Sequence, residues 1–116
     1  MKIKLLKSKI HRAVVTDANL DYVGSISIDE ELMNSSGLCE YEKVHVLNIT
    51  NGHRLTTYAI KAKKQSGKIC INGAAAHLVS KGDLVIIVAY GLLNKSDAEK
   101  HIPYIVHVNE NNQIVK

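Results

Sequence analysis

Gly24-Ser25 is the first pair able to do chemistry. A serine hydroxyl can attack the carbonyl of the peptide before it when that peptide is distorted, and glycine is the residue that tolerates such distortion. Asn72-Gly73-Ala74-Ala75 is the second. A strand that ends in Asn-Gly and opens an alanine helix leaves backbone N–H groups unpaired at the positive helix end, where small side chains let a carboxylate or phosphate approach. Other chemistries fit less well. His11, His45, His53, His77, His101 and His107 are dispersed and neither Cys39 nor Cys70 belongs to a CxxC pair, so no metal site is expected. No GxSxG elbow supports a Ser-His-Asp hydrolase.

The elements that must position these residues are mostly strands. The chain has 13 Ile and 11 Val against 11 Leu, and β-branched side chains suit a pleated surface better than a helix. Ile10–Val15 reads as a strand, with a loop at 16–19. Val23–Ile28 alternates at period two and reads as a strand with Gly24 inside it. Asp29 is placed to cap a short helix that ends before Gly37. Asn51-Gly52 predicts a hairpin with a two-residue type I′ turn, whose second arm puts Arg54, Thr56 and Tyr58 on one face and Leu55, Thr57 and Ala59 on the other. Ile69–Asn72 is a further strand, followed by a short helix over 73–80. Lys81-Gly82-Asp83 turns into a buried strand over Leu84–Tyr90, and Ile105–Val108 with Ile114-Val115 completes the set.

The whole chain, 116 residues with a formal net charge of +4, makes one domain. Its basic surface raises nucleic acid as a partner. Five Tyr and no Trp or Phe leave few platforms for base stacking, so a solvated basic face is the expectation. No apolar run reaches the ~20 residues that span a bilayer, and Met1–Ile10 interleaves lysines with apolar residues, so neither signal peptide nor membrane anchor is expected. Two cysteines, with Cys70 in an apolar run, indicate reduced thiols and a cytoplasmic protein.

Several segments together resemble the pyruvoyl-dependent aspartate 1-decarboxylases, in order and spacing. They are Lys9-Ile10-His11-Arg12, Leu20 to Asp29 around Gly24-Ser25, Thr50 to Ile60 around Arg54-Leu55-Thr56-Thr57-Tyr58, Ile71 to His77 and Gly82-Asp83-Leu84-Val85. The match runs from about Met1 to Tyr90. The stretch after Tyr90 is not diagnostic, and Leu47 stands where some members carry a bulky aromatic residue.

The resemblance implies a small double-psi β-barrel, with Gly82-Asp83 in a psi-loop turn, assembled as a homotetramer with active sites between subunits. It implies a proenzyme (zymogen) that cuts itself into residues 1–24 and 25–116, leaving a pyruvoyl group made from Ser25 as a covalent cofactor, with no metal and no pyridoxal phosphate. That group would form a Schiff base with L-aspartate and release CO2 and β-alanine, a precursor of pantothenate and coenzyme A. By the same resemblance Gly24 is the cleavage site, Thr57 assists self-processing and touches substrate, and Tyr58 is the proton donor. Lys9, Arg54, Asn72, Gly73, Ala74 and Ala75 bind substrate, and His11 and Tyr22 support the pocket. Two other readings stand beside this one: a decarboxylase for another acidic amino acid, and a non-enzymatic basic barrel that binds RNA or a partner.

Overall fold

The computed structural model describes residues 1–115. Their strands are β1 (Lys2–Val14), β2 (Asp17–Asn19), β3 (Ser25–Asp29), β4 (Lys43–Asn48), β5 (Arg54–Ala62), β6 (Ile69–Asn72), β7 (Leu84–Asn94) and β8 (Tyr104–His107). One helix, α1 (Glu30–Ser36), and two 3₁₀ segments, Gly73–His77 and Lys95–Lys100, join them. The all-β expectation holds for the reason the composition gave. Ile10, Ile26, Ile28, Val44, Val46, Ile69, Ile71, Val85 and Ile87 are all fully buried at inward strand positions around one core.

The strand order is β2-β6-β3-β5-β4-β7-β1-β8. β3 lies between β5 and β6, parallel to the first and antiparallel to the second, although β5 and β6 follow one another in the chain. β1 lies between β7 and β8 in the same way, antiparallel to β7 and parallel to β8. A strand inserted between two consecutive antiparallel strands is a psi motif, and this sheet has two. β1 and β2 stand near opposite ends of the order, yet only Val15 and Thr16 separate them. The sheet must therefore curl until its ends meet. Hydrogen bonds close the junction: Val15 N–H donates to the Asp83 carbonyl at 2.9 Å and Thr16 N–H to the Ile69 carbonyl at 2.8 Å. The result is a double-psi β-barrel.

Gly82-Asp83 completes the closure as expected. Gly82 adopts a φ of 93° and donates its N–H to the Val15 carbonyl at 2.8 Å. Asp83 Oδ2 accepts from Asn48 Nδ2 at 2.8 Å and from the Ser80 N–H at 2.9 Å. The far end of β3 is tied down too. Asp29, buried, caps α1 by accepting from the Glu31 N–H and also accepts from the Gln65 and Gly67 N–H groups, each at 2.9 Å. Asn112 bridges the two ends of the sheet: Oδ1 accepts from the Val14 N–H at 2.7 Å, and Nδ2 donates to the Val14 and Gly67 carbonyls at 2.8 Å.

Local expectations are revised in six places, the first being Ile114-Val115, expected as a strand, where only an isolated bridge joins Ile114 to Val108. Residues 17–19, read as loop, form β2, because Asp17, Ala18 and Asn19 pair with Cys70, Ile71 and Asn72. β1 starts at Lys2, well before Ile10, and keeps its long pairing with β7 through two register shifts. β3 begins at Ser25, so Gly24 precedes the strand instead of lying inside it. The Asn51-Gly52 hairpin forms, but its loop is longer than two residues: Asn48 and His53 still pair, Gly52 has a φ of 80°, and Asn51 lacks the positive φ that a type I′ turn requires. The alanine segment is a short 3₁₀ turn over Gly73–His77. The residues that follow, up to Leu84, are committed to the turn in which Gly82 N–H bonds the Val15 carbonyl and Asp83 N–H the Ser80 carbonyl, so the helical segment stays short.

Candidate active site

Ser25 opens β3 and pairs with Asn72, the last residue of β6. It is 1% exposed, and its φ is 150°, a region that suits glycine and strains an L-residue. The strained backbone thus falls at the residue that follows the Gly24 carbonyl. Asn72 Nδ2 donates to Ser25 Oγ at 2.9 Å and to Ser27 Oγ at 3.0 Å.

Gly73 packs against Gly24, the residue before Ser25. Its φ is 72°, and a Cβ there would lie 2.7 Å from Gly24 Cα, 2.8 Å from Gly24 N and 3.0 Å from the Tyr22 carbonyl oxygen. Only glycine permits this approach. The N–H groups of Gly73 and Ala74 open the 3₁₀ turn and have no acceptor within it, whereas the Ala75 N–H is positioned to bond the Asn72 carbonyl. They sit beside Gly24, with Ala74 exposed and Ala75 half-buried.

On the opposite side of β3 runs β5, where Ala59 pairs with Ile26. Ile26 and Ala59 face the core, so the residues before them, Ser25 and Tyr58, share the other side. Tyr58 is 36% exposed. Arg54 is exposed on Tyr58's face, four residues or about 13 Å along the strand. Thr57 faces inward with Leu55 and Ala59, as the alternation predicted. The hydrogen bond to Ser25 comes from Asn72 and not from Thr57.

Lys9 and His11 lie elsewhere within one chain. Both are on β1, which β5, β4 and β7 separate from β3 in the strand order. Lys9 is half-buried between Val88 and Ile105. His11 pairs with His107, ring centroids 5.5 Å apart and edge to face, and its Nδ1 is buried without a partner. Desolvation, with smaller contributions from Lys9, His107 and Arg12, holds the His11 pKa below its ordinary value. Tyr22 contributes its backbone to the contact with Gly73, while its side chain is exposed. Leu47 pairs with Arg54 and is half-buried.

Two residues beside Ser25 were not singled out from sequence: Ser27 and, as a partner of Asn72, Cys70. Their signal is the period of two, which puts Ser25 and Ser27 on the same side of β3 as Asn72 and Cys70 on β6. Among the described residues no group of three or more His, Cys, Asp or Glu side chains could hold a metal ion, and no helix is long and apolar enough to cross a membrane.

Fold and site together define a class: a double-psi β-barrel that holds a strained, buried serine behind a glycine. The family model described as aspartate decarboxylase matches residues 1–115. Similar proteins named aspartate 1-decarboxylase include one from Caldicellulosiruptor saccharolyticus, 61% identical over 100% of this chain and 91% of its own. Another, from Campylobacter hominis, is 56% identical over the full length of both chains. A solved, computationally designed protein, msDPBB_sym2, is similar at a TM-score of 0.45 and 18% identity, over 73% of this chain and 96% of its own. The chain belongs to the aspartate decarboxylase family.

Proposed function

We propose that this chain is a proenzyme that cuts itself between Gly24 and Ser25 and then converts L-aspartate into β-alanine and CO2, supplying β-alanine for pantothenate. The decarboxylase activity follows from the family. The self-processing rests on one observation above the rest, the strained backbone of a buried Ser25.

The first step uses only the chain's own atoms. Ser25 Oγ adds to the Gly24 carbonyl carbon, the Gly24–Ser25 C–N bond breaks, and the nitrogen takes the hydroxyl proton, so the amide becomes an ester. Loss of the Ser25 α-proton then breaks the ester C–O bond and frees the Gly24 carboxylate. Water adds to the resulting N-terminus and ammonia leaves, which generates the pyruvoyl group at residue 25. Asn72 Nδ2, already on Oγ, stabilises that oxygen as its proton departs.

The pocket suits such a group: it is buried, has an amide donor where the former Oγ sat, and keeps Gly73 close enough to exclude any larger side chain. A pyruvoyl group supplies a ketone that binds the substrate amine and accepts electrons as CO2 leaves. The residues around it have separate tasks in this reading. The Gly73 and Ala74 N–H groups, with Ala75 beside them, hold one carboxylate and Arg54 the other, with Lys9 as a second cation. Tyr58, on Ser25's side of the sheet, delivers a proton from Oη to the former α-carbon. Thr57, whose side chain faces inward, takes its role in processing from the family resemblance alone, and His11 and Tyr22 shape the pocket.

Lys9 stands on β1, which β5, β4 and β7 separate from Ser25's strand in the sheet order. That separation favours sites assembled between subunits of a homotetramer. Exposed Leu92, Ile102, Tyr104 and Ile105 on β7, β8 and the connection between them supply apolar surface for assembly. Free Cys39 and Cys70 fit a cytoplasmic location.

The test is an intact mass spectrum taken through prolonged warming. Wild-type protein is expected to give two chains, 1–24 and 25–116, while Ser25→Ala stays whole and makes no β-alanine. Wild-type protein that stays whole and still makes β-alanine would refute the reading.

A further inference from the structure

We infer that Cys70 is a positioning residue for self-processing: its thiol fixes the Asn72 amide so that the NH2 end, not the carbonyl end, faces Ser25. This rests on the self-cleavage proposed above. The argument begins with an ambiguity. The two ends of an asparagine amide have nearly the same shape, and one donates where the other accepts. Asn72 lies between two serine hydroxyls at 2.9 and 3.0 Å, and a hydroxyl can donate or accept. The serines alone therefore leave the amide free to turn over.

The group that decides sits at the other end. Cys70 Sγ lies 3.3 Å from Asn72 Oδ1 and donates to it. Cys70, Asn72 and Ser25 are 5%, 3% and 1% exposed, so water does not compete. Burial, with Asp17 nearby, pushes the Cys70 thiol up, which keeps the S–H present as a donor. Sheet register builds the cluster: Ser25 pairs with Asn72 and Ser27 with Cys70 across β3 and β6, so all four side chains share one side. Ser27 receives the second Nδ2 proton and steadies the amide plane.

The orientation matters to the chemistry at Ser25. With Nδ2 toward Oγ, a donor faces the oxygen that becomes negative as it loses its proton. Turned over, Oδ1 would hold the hydroxyl proton in place and repel the charge developing on Oγ. A weak S–H donor two residues along the strand thus selects the productive arrangement.

The experiment follows the first-order conversion of freshly purified uncut chain by intact mass, with thermal melting recorded for each variant. Cys70→Ala is expected to slow cutting about 3- to 10-fold, the size of one modest hydrogen bond. Cys70→Ser, which keeps a donor, restores the rate. A general packing role would not give this pattern, and a double-mutant cycle separates the two. In an Asn72→Ala background, Cys70→Ala should have no further effect, because the residue through which it acts is gone. Equal slowing in both backgrounds, or an unchanged rate in Cys70→Ala, overturns the inference. If Asn72→Ala cuts too slowly to measure, the Asn72 side-chain amide protons of the uncut chain replace the cycle. They should be protected from exchange in wild type and Cys70→Ser and less so in Cys70→Ala, and equal protection in all three overturns it. Wild-type chain that never cuts removes the self-processing reading, and this inference with it.

Discussion

Replacing Gly73 by alanine tests whether the backbone at Gly24 is held in place by the residue opposite, and Gly67→Ala is its control. Both glycines have left-handed backbones, with φ of +72° and +70°. A Cβ at 73 would lie 2.7 Å from Gly24 Cα, and one at 67 would lie 2.7 Å from the Asn111 carbonyl oxygen. Carbon pairs settle near 3.5–4.0 Å, so the overlap at Gly24 is roughly an ångström. An L-residue in this conformation costs about 1–2 kcal/mol and overpacking about 1–3, so each variant should lose roughly 2–5 kcal/mol. For a domain of this size that is about 10–20 °C in Tm. The two variants diverge at the chemistry. Alanine at 73 displaces the peptide to be cut, whereas alanine at 67 strains a loop bound to Asp29, at the other end of β3 from Ser25. A misplacement near 1 Å can cost about 100-fold in rate. We therefore expect Gly73→Ala to cut about 100-fold more slowly than wild type and Gly67→Ala within about 3-fold of it. Both would be followed by intact mass at a temperature where melting curves show each folded. Equal cutting rates in two equally destabilised variants would refute the claim that Gly73 holds the peptide.

Tyr58→Phe keeps the ring and removes the hydroxyl, so the chain should still cut and still carry the ketone, while β-alanine formation per titrated ketone falls about 10²- to 10⁴-fold; near-wild-type turnover would remove Tyr58 from the mechanism. His11 gives a pH prediction. Its folded pKa lies below the ordinary 6.5, so between the two values the unfolded chain binds more protons and stability rises with pH. Read downward, stability is lost as pH falls from about 6.5 through the folded value, by at most about tenfold in the folding equilibrium per pH unit. Melting between pH 7.5 and 5 should show a steeper loss for wild type than for His11→Asn, and parallel curves would show that His11 is not the group responsible.

Much of this was legible in the chain itself. The excess of Ile and Val over Leu set an all-β core, because branched side chains fill inward strand positions such as Ile26, Ile28, Ile69 and Ile71. Asp29 and Gly37 marked the helix ends, since a capping carboxylate and a left-handed glycine are local requirements. Gly24-Ser25 and Asn72-Gly73 were visible as motifs, and their family spacing gave them roles. What period and propensity could not supply were relations between distant strands. β2 is a strand only because β6 offers it partners, and nothing in Asp17-Ala18-Asn19 demands extension. The φ of 150° at Ser25 is imposed by β3 locked between β5 and β6 with Gly73 against Gly24, so no local pattern announces it. The placement of Cys70 behind Asn72 needs the β3–β6 register, in which a shift of one residue would turn both side chains into the core. The position of Lys9 relative to Ser25 in the sheet likewise depends on strand order, which follows from two psi crossings and not from any segment read alone.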